Sequence, residues 1–233
     1  MRLLRDGAGV LCVGHRGAAA LAPENSLAAI EAAARAGADV VELDVVRGLR
    51  VTHEPDAAAA APHLHEALAL AASLGLAVQL DLKEPGLAVG IAAALRAAGL
   101  EERSFASAAP RTILEELAAA APWLPRSLSY PDDRHRISER RLLAPAVPLA
   151  LGALRAVAPR RLPPLLRAVG ARAATLDHRI VSTRAIDACH ALGIAVLVWT
   201  VAEPERVRTL VESGVDAIIT DDPRIVSEGI STT

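Results

Sequence analysis

The chain has 233 residues, enough for one large single-core domain spanning residues 1–233. Its formal net charge of −2 lacks the basic excess of a phosphate-backbone footprint, so no nucleic-acid partner is expected. Hydrophobic residues make up 52% of the chain but aromatics only 2%, so the core must be packed from Ala, Leu, Val and Ile, and Phe105, Trp123, Tyr130 and Trp199 stand out.

From the N-terminus, Met1 to Gly7 offers no apolar run suited to export. Short apolar runs then predict eight strands, near 9–14, 39–45, 77–83, 104–108, 126–130, 173–177, 195–201 and 216–220. Leu49-Arg50-Val51-Thr52-His53 follows Arg47-Gly48 too closely for a crossover helix and predicts a hairpin with the second strand. The stretch from Pro131 to Pro164 is the least regular. Its Arg134, Arg136, Arg140, Arg141, Arg160 and Arg161 surround an apolar segment, and the expected form is a solvated helix pair with prolines at its turns. That apolar segment, Leu142 to Leu154, falls short of the about 20 residues of a membrane span and is interrupted by Pro145, Pro148 and Gly152, so no transmembrane segment is expected. Cys12 and Cys189 have neither metal nor redox spacing; they read as buried small hydrophobes in a cytoplasmic protein.

One unit recurs: an Ala/Leu-rich helix, a glycine, then a β-rich run. The glycines are Gly37, Gly75, Gly99, Gly170, Gly193 and Gly214, placed where a helix stops by turning left-handed. Eight strands alternating with helices predict an α/β fold, a closed (β/α)8 TIM-type barrel with its active site at the strand C-terminal ends. An open doubly wound sheet is the structural alternative, but no Gly-x-Gly-x-x-Gly follows the first strand to mark a dinucleotide site.

Lys83 is the only lysine, beside twenty-four arginines, which points to a position needing a compact charge rather than a planar fork. It falls at the end of a strand, and so do other polar residues. His15-Arg16-Gly17 follows the first strand, Glu42 and Asp44 share a face of the second, Asp81 and Lys83 share a face of the third, and the hairpin ends in His53. Residues two apart on a strand are about 7 Å apart, so neighbouring strands bring three carboxylates around one point. Such carboxylates repel one another unless a cation sits among them, and oxygen ligands favour Mg²⁺, Ca²⁺ or Mn²⁺ over Zn²⁺. Arg16 and Lys83 would hold a phosphate against that metal, and His15 and His53 would exchange protons near neutral pH. Taken singly, each has a structural reading as an ion pair or a satisfied histidine; their coincidence at consecutive strand ends points to phosphodiester hydrolysis.

These residues lie in motifs that resemble the glycerophosphodiester phosphodiesterase family: Gly14-His15-Arg16-Gly17, Pro23-Glu24-Asn25-Ser26 and Gly37 to Val45, then Val198-Trp199-Thr200-Val201 and Gly214 to Asp221. Asp81-Leu82-Lys83 and Ser107 to Pro110 resemble weaker blocks between them. The resemblance implies a barrel enzyme, using one divalent cation, Mg²⁺ or Ca²⁺, that cleaves a small-molecule phosphodiester to glycerol 3-phosphate and an alcohol. It implies His15 and His53 as the acid/base pair, Arg16 and Lys83 as phosphate contacts, Glu42, Asp44 and Asp81 as metal ligands, and Trp199 as a pocket residue.

The chain also departs from the pattern. Asp81 stands where the family has a glutamate, and Glu54 follows His53 where the family has an aspartate. The family's small insertion subdomain is reduced to the stretch from Glu54 to Pro62. These departures bear on His53, which is left on a short hairpin beside an open cleft. Two alternatives remain at this level: a lysophospholipid-cleaving phosphodiesterase of the same superfamily, and a catalytically weak barrel that binds phosphodiesters.

Overall fold

A computed structural model describes residues 1, 3–5, 9–132 and 147–231. Among them, nine strands form one sheet: β1 (Leu11–Gly14), β2 (Val40–Val46), β3 (Arg50–Val51), β4 (Ala77–Leu82), β5 (Ser104–Ala108), β6 (Arg126–Tyr130), β7 (Ala173–Asp177), β8 (Ala195–Trp199) and β9 (Ala217–Thr220). Eight of them are parallel, and β1 pairs with both β2 and β9, which closes the barrel and excludes the open sheet. β3 lies outside the ring as the expected hairpin partner of β2, with Val45 opposite Val51.

The closure follows from local signals in the sequence. Helices Leu27–Arg35, Leu64–Ser73, Ala88–Ala97, Val147–Ala168, Thr183–His190 and Pro204–Glu212 are followed by the six glycines of the repeat, all with positive φ. Each helix therefore ends where the chain must turn back to the sheet. Inside the barrel, Val13, Val40, Ala173, Ala195 and Ala217 leave a space that Phe105, fully buried, fills from β5. Leu3 packs into this lower end. Above it lies a polar layer, where Gln79 Nε2 donates to Ser107 Oγ at 2.9 Å and the Ser127 and Thr175 hydroxyls lie 2.6 Å apart. Gln79 thus pairs with Ser107 and Ser127 with Thr175, and the interior grows more polar toward the strand C-termini.

The structure corrects the expected placement of the prolines at turns, while residues 133–146, which hold the rest of the expected helix pair, lie outside the described residues. Val147–Ala168 is one helix with Pro159, Pro163 and Pro164 inside it. Ala158, Leu162 and Leu166 recur every four residues and are buried, and this anchoring face outweighs the hydrogen bonds that the prolines remove. Arg160 and Arg161 are solvent-exposed as expected; Arg134, Arg136, Arg140 and Arg141 lie outside the described residues. No described helix is long and apolar enough to cross a membrane. Cys12 and Cys189 are buried and unpaired, and burial pushes their thiols up to about 12 and about 11, so both are inert.

Candidate active site

The site begins with a tight turn after β1. A Cβ on Gly14 would lie 2.1 Å from the Gly17 carbonyl oxygen, and one on Gly17 would lie 2.5 Å from the Ala29 side chain, so neither position accepts a larger residue. Between them Arg16 adopts φ 50°, a left-handed conformation that costs a non-glycine residue about 1–3 kcal/mol. The strained turn is gripped twice by β2: Arg16 N–H donates to Glu42 Oε2 at 2.8 Å, and Gly17 N–H donates to the Glu42 carbonyl at 3.0 Å.

The β2–β4 register sets Asp44 opposite Asp81. Glu42, Asp44 and Asp81 consequently present oxygens that all lie within 4.8 Å of one another, with Glu42 and Asp44 almost fully buried. Lys83 stands just past β4, its N–H still donating to the Val45 carbonyl, and its ammonium lies 2.6 Å from Asp44 Oδ1 and 2.5 Å from Asp81 Oδ2. Asn25 clamps Asp44 from the other side, donating Nδ2 to Oδ2 at 2.9 Å and accepting the Asp44 N–H at 3.0 Å. Ser107 donates to Asp81 Oδ1 at 2.6 Å, so the polar layer below fixes that carboxylate.

Burial, and then the charge of Asp44, pushes the Glu42 carboxyl up to about 7. Burial also opposes charge on Asp44, but the Lys83 ammonium, the His53 hydrogen bond and Arg16 outweigh it and hold Asp44 far below the usual carboxylate range. Lys83 is the mirror case: burial disfavours its ammonium, and Asp81, Asp44 and Glu42 more than restore it. The three carboxylates fit a hard divalent cation by donor type and spacing, and the strained Glu42 carboxyl shows the cost of crowding them with a single ammonium between them.

His15 follows β1, and because β1 pairs with β9 it meets Asp221 just past β9, with Nδ1 2.7 Å from Asp221 Oδ1. Burial disfavours the imidazolium, but the Asp221 hydrogen bond and the Glu42 charge outweigh it and raise the pKa. His53 reaches the same cluster from the hairpin despite the short connection. Its Nδ1 lies 3.1 Å from Asp44 Oδ2 and 3.0 Å from an Arg16 Nη2, and a single ring nitrogen cannot donate to the first while accepting from the second. Arg16 also pairs with Glu24 at 2.6 Å, so its guanidinium is held at the rim.

Trp199 ends β8 on the inward face, packs on the interior cluster and donates Nε1 to the Thr175 carbonyl at 3.3 Å. Of the eight residues singled out from sequence, Glu42, Asp44, Asp81 and Trp199 lie on strands and His15, Arg16, His53 and Lys83 in the segments that follow them, and all but Trp199 form one charged group on β2, β4 and the segments after β1, β3 and β4. The sequence reading missed Asp221, Asn25 and Ser107. Asp221 had a usable signal, since barrel closure places the residues after β9 and β1 side by side.

A barrel whose mouth gathers three carboxylates, a lysine, an arginine and two imidazoles belongs to the class of hydrolases that act on anionic esters. The chain belongs to the Glycerophosphoryl diester phosphodiesterase family, whose profile matches residues 15–47 and 131–225, more than half of its length. It is accordingly a glycerophosphodiester phosphodiesterase in the enzymatic sense. Among solved structures it is similar to a candidate glycerophosphoryl diester phosphodiesterase from Silicibacter pomeroyi, with 23% identity, TM-score 0.78, and 97% of this chain and 96% of that one covered. It is also similar to a glycerophosphodiester phosphodiesterase from Agrobacterium tumefaciens, with 21% identity, TM-score 0.72 and coverage of 95% and 99%. A third similar structure is an Oleispira antarctica phosphodiesterase in complex with the product sn-glycerol-3-phosphate, with 18% identity, TM-score 0.70 and coverage of 95% and 97%. A comparison with curated proteins finds no match.

Proposed function

We propose that this single barrel unit hydrolyses glycerophosphodiesters to glycerol 3-phosphate and an alcohol with the help of one divalent cation, Mg²⁺ or Ca²⁺. The observation that carries the reading is the approach of Glu42, Asp44 and Asp81 to within 4.8 Å of one another beside Lys83, Arg16 and the His15–Asp221 pair. Those three carboxylates would hold the cation, which when bound polarises a phosphoryl oxygen and offsets the charge that develops there.

The remaining steps fall to the chain's own side chains. Arg16 and Lys83 leave their carboxylate partners to hold the substrate phosphate, and Trp199 lines the pocket for its organic part. Asp221 accepts from His15 Nδ1–H and so leaves Nε2 free to take the proton from the attacking oxygen as it bonds to phosphorus. Once Arg16 engages phosphate, His53 Nδ1–H donates to Asp44 alone, and its Nε2–H protonates the alkoxide as the phosphorus–oxygen bond to the alcohol breaks. Two inert, unpaired thiols accord with a cytoplasmic setting.

A product-release screen over glycerophosphodiesters and lysophospholipids, with each metal in turn, tests the reading. Metal-dependent release of glycerol 3-phosphate from glycerophosphodiesters is expected. Release confined to lysophospholipids would overturn the substrate class, and undiminished release in chelator would overturn the metal.

A further inference from the structure

A second cleft, of about 750 Å³, opens at the opposite end of the barrel, where the strands begin. Arg126 at the start of β6, Arg167 near the end of the long helix and Arg172 just before β7 line it, against walls that include Leu3, Leu4 and Trp123. Its volume lies within the roughly 300–1,000 Å³ typical of small-molecule sites.

The cations here are handled differently from those at the mouth. Among the described residues no carboxylate lines this cleft, and Arg126, Arg167 and Arg172 enter no ion pair. Arg126 reaches only the carbonyls of Leu124 and Gly170, at 3.3 Å each, and its buried Nε has no partner. The buried Trp123 Nε1 also lacks an acceptor. Glu101 and Glu102 share an adjoining smaller cleft with Arg96, which stacks 5.4 Å from the Trp123 ring, so the nearby acids sit with a different arginine. Burial and the repulsion of Arg172 hold Arg126 below its ordinary pKa. The buried orphan donors of Arg126 and Trp123 are costly until an anion with several acceptor oxygens enters, and the exposed Arg167 and Arg172 have no described carboxylate partner to compete with it.

We propose that this cleft binds a phosphate monoester, its phosphoryl group between Arg126, Arg167 and Arg172 and its organic part against Trp123 and the leucines. Guanidinium forks match phosphoryl oxygens two at a time, and a dianion answers the uncompensated charge better than a carboxylate would. Binding here is separate from catalysis at the mouth.

The two tryptophans stand one at each end, which supplies the test. In a Trp199→Phe protein Trp123 is the sole tryptophan, and its fluorescence should change saturably with phenyl phosphate as probe. Arg167→Ala with Arg172→Ala, both exposed positions, should weaken that binding at least tenfold while circular dichroism and phosphodiesterase activity in the Trp199 background stay unchanged. Lys83→Ala should leave it intact. No saturable change, an equal change with sodium chloride of the same ionic strength, tighter binding of phenylacetate, or a response lost in Lys83→Ala but kept in the double variant would overturn the proposal.

Discussion

The two ends of the barrel carry similar cations in opposite surroundings. At the mouth, Arg16 and Lys83 lie against Asp44, Asp81 and Glu24, and carboxylates remain crowded after those pairs form. At the other end, Arg126, Arg167 and Arg172 line a cleft with no described carboxylate. An end with surplus acid is short of a cation, and an end with surplus guanidinium is short of an anion. The same polar layer of Gln79, Ser107, Ser127 and Thr175 separates the two, so each imbalance must be met by its own ligand.

The comparison breaks most visibly through the histidines. His15→Ala should lower turnover by roughly 10²–10⁴-fold, the range of a general acid or base, and Asp221→Asn by a smaller, roughly tenfold to hundredfold factor, as a charged orienting hydrogen bond would. Steady-state kinetics with glycerophosphocholine would measure both. His53→Ala should cost far more on that natural ester than on an activated aryl phosphodiester; equal losses would remove His53 as the acid.

Lys83 is the next test, since it links acid surplus to phosphate binding. Lys83→Ala should cut kcat/KM by roughly tenfold to a hundredfold with the fold intact, and Lys83→Arg should restore only part of it, because the guanidinium is larger and flat. Full activity in Lys83→Ala would return the lone lysine to a compositional accident.

The surplus of acid at the mouth also predicts a pH dependence of stability. Glu42 titrates near 4.5 when unfolded and about 7 when folded. Between these values the folded chain holds more protons than the unfolded chain, so stability contributed by protonated Glu42 is lost as pH rises through that window. His15, also raised, acts in the same direction above its unfolded 6.5. Denaturant unfolding in chelator should therefore show Glu42→Gln more stable than the parent at pH 8 by an amount on the order of 3 kcal/mol, and little different at pH 4.5. An unchanged slope would mean that the three carboxylates are not electrostatically crowded.

The smallest expected effect lies at the other end. Arg172→Glu supplies the missing carboxylate beside Arg126 and should raise stability by no more than about 1 kcal/mol, the scale of an exposed pair. A loss of stability in thermal unfolding would show that those arginines are already compensated.

The two ends also differ in how far the sequence revealed them. Parallel strands write their own signal as apolar runs after helix-stopping glycines, so all eight barrel strands lie within two residues of their predicted bounds. The mouth was legible because its ligands repeat two apart on strands and because loops after those strands must share one rim. Asp221 was not assigned, although it lies 206 positions from His15 and touches it, because only closure of β1 against β9 creates the contact. Asn25 was hidden by its left-handed turn, φ 56°, which aims a loop amide back at Asp44. The arginine cleft could not be read at all: Arg126, Arg167 and Arg172 carry no motif, and in a chain with twenty-four arginines their lack of acidic neighbours is a property of the folded surface. The prolines of the long helix misled for the converse reason, since their local cost is overridden by a buried face.

The central claim is that the carboxylate trio is a cation site on which turnover depends. Calorimetric titration of Mg²⁺ and Ca²⁺ into chelator-treated protein, paired with activity on glycerophosphocholine at each step, tests it most directly. The account predicts one ion bound per chain, activity rising in step with occupancy, binding lost in Asp44→Asn, and binding at least as tight in Asp81→Glu, whose longer side chain reaches further. Full turnover without a divalent ion, or ion binding unaffected by Asp44→Asn, would contradict it.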